Sequence, residues 1–176
     1  MNLFFRLLRT YISALLNTAT THYNDIHKLR FRVLLTDQDV FNHLNNSRYL
    51  SFTDLAMVDW LMRVGAWKVI RKQKWFPVFV YKEQFFYKQL RFPDTFTVET
   101  KLVGWMGGYL CCEHQFMKGE RCYAMSRTIG RIIGRKGQRP TVDQIADLLG
   151  VDVADRPELP ESYVDEINRI EAAKAL

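Results

Sequence analysis

Cysteine is scarce, with three residues in a chain of 176. Cys111, Cys112 and Cys122 form no C-x-x-C pair and cannot build a disulfide framework, which excludes a stapled secreted scaffold. All three lie in alternating, strand-like sequence, where adjacent Cys111 and Cys112 point to opposite faces of a sheet. Buried, reduced thiols and a reducing compartment are the expectation. Five prolines and nine glycines, widely scattered, leave no low-complexity run and no internal repeat. Long hydrophobic runs are also missing. The most apolar stretch, at the start, is interrupted by Arg6 and Arg9, so it is too short to span a membrane. It also lacks the charged start and uninterrupted core of a secretory signal. Of the four histidines, His22, His27 and His114 show no ligand spacing, and no metal is expected.

What is present is a core-forming composition: 48% hydrophobic and 14% aromatic residues, enough for one folded domain with terminal additions. The net charge of +6 is compatible with simple solubility or with an anionic partner: nucleic acid, a membrane surface or a phosphate-bearing small molecule. No RRM, KH or zinc motif is found, and the aromatics follow core periodicity instead of interleaving with Arg and Lys. Nucleic acid is therefore not expected.

Along the chain, Leu3, Phe4, Leu7, Leu8, Tyr11, Ile12, Leu15 and Leu16 form one helical stripe, with Arg6, Arg9, Thr10 and Ser13 opposite. This amphipathic helix in residues 1–17 is expected to bury its stripe against its own domain or a partner subunit, with contact to a membrane surface as the alternative. A polar connection over 18–25 leads to a strand in which Leu29, Phe31, Val33 and Leu35 alternate with Lys28, Arg30 and Arg32. Next, Tyr49, Phe52, Ala56, Trp60 and Val64 recur at helical spacing, flanked by Leu50, Leu55, Met57 and Leu61, so this helix is buried on most sides. Gly65 stops it, and 66–74 reads as a basic connection. Four strands follow, with turns at Met106-Gly107-Gly108 and Lys118-Gly119-Glu120. Thr141-x-x-Gln144 is a capping box for a short helix ending at Gly150, and a last helix runs from about Ser162 with Val164, Ile167 and Ile170 on one side. The expected class is α+β: a five-stranded antiparallel meander wrapped around one long buried helix. Residues 1–24 are an N-terminal helix and connection, 25–140 the main domain, and 141–176 a helical extension of it.

The informative stretch is Thr36 to Leu50, where strand periodicity gives way to helical periodicity. Between them stand Asp37, Asp39, His43 and the asparagines Asn42, Asn45 and Asn46, a dense polar cluster for a connection. Asn45 and Asn46 suit a helix N-cap. A carboxylate facing the free amides and positive dipole end of a helix can do chemistry at a carbonyl, whereas an aspartate that merely holds a turn is the ordinary alternative. The calcium-loop pattern is excluded because Asn42 stands where glycine is needed and Arg48 where the bidentate Glu belongs.

The series Asp37-x-Asp39-x-x-x-His43-x-Asn45-Asn46-x-x-Tyr49, set between a strand and a buried helix and followed by a meander, resembles the hotdog-fold thioesterases. Within them it is similar to the 4-hydroxybenzoyl-CoA thioesterase branch. Gly104-Trp105 and Pro157-Glu158-Leu159-Pro160 add a likeness to the thioesterase superfamily member six group. The resemblance covers residues 28–135 well and the tail more loosely. It implies Asp39 as the catalytic carboxylate and the backbone amide of Asn46 as the oxyanion donor. His43 matches a histidine that plant acyl-carrier-protein thioesterases use, while Phe41 stands where those enzymes have asparagine, with Asn42 one residue later.

On this reading the chain hydrolyses a fatty or aromatic acyl-CoA or acyl-carrier-protein thioester, with no cofactor beyond the coenzyme A of the substrate. Asp39 acts as general base or nucleophile. Asn42, Asn45 and Tyr49 border the substrate, and Arg127, Arg131 and Arg135 are candidates for the coenzyme A phosphates. A non-catalytic acyl-CoA or lipid binder is the competing reading. Long edge strands are usually paired or covered. A homodimer joined edge to edge, with a tetramer as the larger assembly left open, is therefore expected. The expected location is cytoplasmic, with peripheral membrane contact as the alternative.

Overall fold

The computed structural model describes residues 2–16 and 20–173. Met1, Asn17 and the Leu3 side chain of the expected amphipathic helix, together with 18–19 and 174–176, lie outside them. The elements are α1 (Asn2–Leu16), β1 (His27–Arg32), α2 (Asn46–Arg63), α3 (Ala66–Gln73), β2 (Phe76–Phe86), β3 (Thr95–Met106), β4 (Tyr109–Lys118), β5 (Arg121–Ile133), α4 (Val142–Leu149) and α5 (Glu161–Ala173). The five strands form one antiparallel sheet in the order β1-β3-β4-β5-β2. β1 and the 11-residue β2 are its edges.

Register explains which residues turn inward. In β3, Phe96, Val98, Thr100 and Leu102 are buried at every second position, and Ala124, Ser126 and Thr128 do the same in β5. Cys111 and Cys112 do take opposite faces: Cys111 packs with Tyr163 and Ile167 of α5, Cys112 with Trp60 and Leu61 of α2. Burial pushes the Cys111 thiol up to about 12 and raises Cys112 as well, so both remain protonated core residues.

Beneath α2 the core falls into two compartments. Around its first half, Tyr49, Phe52, Leu55 and Ala56 pack with Phe31, Phe96, Val98 and Phe116. Around its second half, Met57, Trp60 and Leu61 pack with Ala66 and Ile70 of α3, Leu102, Trp105 and Ile145. A buried polar seam crosses the sheet between them. Thr100 Oγ1 meets His114 Nδ1 at 3.0 Å, and His114 Nε2 meets Thr128 Oγ1 at 3.1 Å. Ser126 reaches Thr53 of α2 at 3.2 Å and also donates to Gln84. Every group in this seam has a partner, which is what permits its burial. Burial, aided by the charge of Lys82, depresses His114 to about 3, so it is neutral.

Two expectations need correction. Residues 66–74 are not a simple connection: Gly65, in the left-handed region at φ 81°, ends α2 and at once opens α3. The amphipathic helix α1 also does not bury its stripe against its own domain. Thr10 is buried and Arg6 reaches inward, whereas Phe4 (65% exposed), Phe5 (61%), Leu15 (58%) and Leu16 (79%) face out, with Leu7, Leu8 and Ile12 also exposed. The cause is electrostatic. Arg6 pairs with buried Asp37 at 2.5 Å, donates to the Arg32 carbonyl at 3.2 Å and lies 4.7 Å over the Phe52 ring. A buried carboxylate claims a cation before an apolar stripe claims a groove.

At the far end, the tail crosses β3 at Gly104, which has φ 151° and sits at a bulge. A Cβ there would stand 3.1 Å from the Pro157 carbonyl oxygen and 3.2 Å from Leu159. The tail then caps the outer sheet face with α5.

Candidate active site

The polar stretch folds as a narrow loop closed by backbone pairs. Asn45 N–H donates to Asp37 C=O at 2.9 Å, Asp39 N–H donates to His43 C=O at 2.8 Å, and Gln38 bridges Leu44. This pairing draws Asp39 back alongside His43, one short step before α2. Asn42 at the tip takes φ 61°, a conformation asparagine tolerates, and its carbonyl accepts from the Gln38 amide at 2.5 Å.

Each acidic residue has a different task. Asp37 is 2% exposed, accepts from Leu34 N–H at 2.8 Å and holds Arg6, with Arg48 3.9 Å away, so it fastens the loop base. Asp39 is partly exposed. Its Oδ1 accepts from the amides of Phe41 (2.8 Å) and His43 (3.1 Å), and Oδ2 has no protein partner among the described residues. One oxygen orients the carboxylate and the other is available to water or substrate.

Asn45 is the cap of α2: its Oδ1 accepts from Ser47 N–H at 3.0 Å and from the Ser47 hydroxyl at 2.8 Å. Asn46 opens the helix, where amides have no intrahelical acceptor and the dipole is positive. His43 Nε2 lies 2.8 Å from the Arg91 guanidinium, which can only donate, so His43 accepts there. Tyr49 is 2% exposed and packs edge-on to Phe86 and Phe116, with its phenol pushed up to about 12 by burial. It is a core residue.

The three arginines offered as candidates for the coenzyme A phosphates lie away from this loop. Arg127 and Arg131 stand on the sheet face opposite α2. Arg127 lies 3.6 Å from Glu113 and 3.8 Å from Glu83, and it faces the rings of Phe85 and Tyr163. Arg131 donates to the Tyr109 hydroxyl at 3.1 Å and stacks on that ring. Arg135 is exposed in the short turn Arg135–Gly137 after β5. Two cations that sequence spacing missed, Arg6 and Arg91, do reach the loop. Arg91 stands in a tight turn before β3, where its N–H donates to Asp94 at 3.1 Å. Among the described residues no group of three or more His, Cys, Asp and Glu could hold a metal, and no helix is long and apolar enough to cross a membrane.

A cavity of about 290 Å3 lies in the second compartment, walled by α2 from Asp54 onward, α3, α4 and the sheet. Asp39, His43 and Asn46 are not among its lining residues.

A family profile described as thioesterase-like superfamily matches residues 33–166, a span that includes the loop, α2, strands β2 to β5 and most of the tail. The chain belongs to the thioesterase-like superfamily. Solved structures agree on the fold. The probable thioesterase YbaW from Escherichia coli matches with a TM-score of 0.64 at 18% identity, over 69% of this chain and 95% of that one. The gentisyl-coenzyme A thioesterase BH1999 matches with a TM-score of 0.62 at 20% identity, over 69% and 99%. Slr0204, a 1,4-dihydroxy-2-naphthoyl-CoA thioesterase from Synechocystis, matches with a TM-score of 0.61 at 15% identity, over 71% and 95%. This thioesterase-like chain therefore contains nearly all of each neighbour and extends beyond it.

Proposed function

We propose that the protein hydrolyses an acyl-CoA thioester at the loop before α2, in the manner of the 4-hydroxybenzoyl-CoA thioesterase branch. One observation carries this reading: Asp39, in the loop that leads into the N-terminus of α2, has one oxygen fixed by two loop amides and the other without a partner among the described residues. Asp39 Oδ2 takes the proton of a water that attacks the thioester carbonyl, or attacks that carbon itself to form an anhydride that water then opens. Charge developing on the carbonyl oxygen is met by the Asn46 amide and the helix dipole. Collapse expels a thiolate, a good leaving group that needs no strong acid. His43, held by Arg91, orients the loop. Exposed Arg91 and Arg135 support phosphate binding better than Arg127 and Arg131, whose guanidinium groups are engaged. Contact of Gly104 with Pro157 and Leu159 ties together the two markers of the member six group.

The β2 edge supports a homodimer. β2 presents an 11-residue edge whose ends, Phe76 and Phe86, are 54% and 46% exposed, and a second copy pairing there would cover it. The outward stripe of α1 lies beside a basic surface, since Arg71 of α3 bonds Tyr11 at 2.8 Å and Lys68 and Lys72 are exposed nearby. That combination supports contact with an anionic membrane surface. Co-sedimentation with phosphatidylglycerol vesicles, lost in Leu8→Asp/Leu15→Asp, tests it.

The deciding assay is thiol release from acyl-CoAs of varied chain length and aromatic type. Asp39→Asn keeps an acceptor for the loop amides, so the fold should hold while turnover drops about 10^3-fold. Unchanged turnover in that variant would overturn the assignment. A second reading, a non-catalytic acyl-CoA or lipid binder, is favoured by the position of the cavity away from Asp39. Saturable acyl-CoA binding by the wild type without thiol release would select it.

A further inference from the structure

The cavity in the second compartment has a composition of its own. Its walls are almost wholly apolar, with Met57, Leu61, Leu102, Ile145 and Ala146 among them. Trp60 also lines it. That residue is 3% exposed, and its indole N–H is buried without an acceptor. Asp54, an acceptor at the rim, is already engaged by Lys82. Thr21, His22 and Tyr23 line it as well, and the Tyr23 hydroxyl already donates to the Asp152 carbonyl at 3.2 Å, whereas Trp60 Nε1–H is a buried donor on these walls that lacks an acceptor among the described residues. Buried donors without partners are costly, which makes an occupant bearing acceptors the natural way to satisfy them.

We infer that this cavity is a binding site for an apolar, chain-like molecule carrying a carbonyl oxygen, which accepts from Trp60 Nε1. An apolar cavity of 150 Å3 holds one benzene, so about 290 Å3 holds roughly twelve carbons. The site is separate from the Asp39 loop. From Asn46 to Asp54 the helix rises about 12 Å, and the tightly packed aromatic compartment fills that distance. The covering wall is α4, pinned through the Trp105 indole, which donates to Asp143 at 2.9 Å. An occupant enters without bonds being made or broken, so the site needs no chemistry of its own.

The test uses decan-2-one, which carries the acceptor, and decane, which lacks it. Both are titrated into the full chain and followed by tryptophan fluorescence and thermal shift. The wild type should bind the ketone saturably at one site per chain and more tightly than decane. Trp60→Phe keeps an aromatic ring and removes the donor, so ketone affinity should fall about five- to tenfold relative to decane affinity. Ala146→Phe fills the hollow from α4 and should abolish binding of both, with circular dichroism confirming the fold. Should that variant fail to fold, Leu149→Phe blocks the same wall. Binding in Asp39→Asn should equal wild type, so loss of thioesterase activity and loss of this site are separately visible. No saturable binding in the wild type, or binding indifferent to both Trp60→Phe and the filling variants, would refute the site.

Discussion

The two halves of α2 share one helix and one sheet, yet one is solid and the other hollow. Over the first half, five aromatic rings interlock, with Phe52 4.9 Å from Phe31 and 5.1 Å from Phe96 between centroids, and Tyr49 5.0 Å from Phe116. Over the second half, aliphatic residues of α3 and α4 stand off from the sheet and leave the 290 Å3 space. The polar seam of Thr100, His114, Thr128, Ser126 and Thr53 falls where the two meet. Rigid packing thus lies under the helix end that supports the candidate chemistry, and room for a ligand lies at the other end. A carboxylate loop needs fixed geometry, and a binding hollow needs unfilled volume.

Substitutions should expose that asymmetry. Phe52→Ala opens a void in the solid half and removes the ring beneath Arg6, so it should cost about 4 kcal/mol in urea unfolding. Leu61→Ala borders existing space and loses fewer contacts, so about 2 kcal/mol is expected. Equal costs at the two positions would dissolve the contrast. The seam gives a pH signature. His114 is neutral in the fold at a pKa lowered to about 3, against about 6.5 when unfolded. The unfolded chain therefore binds the proton first, and stability should fall as pH drops from about 6.5 towards 3, by about 1.4 kcal/mol per unit. His114→Gln should remove that share of the slope. The smallest effect is expected from Ala146→Leu, which fills part of the hollow and should be neutral or stabilising by less than about 1 kcal/mol.

Much of the sheet was legible because its turns carry local chemistry. Gly107 and Gly119 have φ of 56° and 60°, and the meander follows from those reversals. The capping box at Thr141 and Gln144 is present in both directions, 3.0 and 3.1 Å. Asn45 caps α2 as its position implied. What escaped depends on partners distant in sequence. The stripe of α1 reveals an amphipathic helix without saying which side is buried; Asp37, 31 residues on, decides that. Arg91 reaches His43 across 48 residues, through the turn before β3. The helix α3 was hidden because Gly65 serves as stop and start together, and eight residues give periodicity little to show. Spacing along β5 put Arg127 and Arg131 on one face without indicating that Glu83, Glu113 and Tyr109 would already occupy them.

The bond between Arg6 and Asp37 has a practical consequence. Because the carboxylate two residues before Asp39 borrows its counter-ion from α1, that helix is structurally part of the candidate loop. A truncation or fusion that displaces α1 therefore alters the surroundings of Asp39 and is not a neutral edit. Material intended for kinetics should keep α1 and its Arg6 intact.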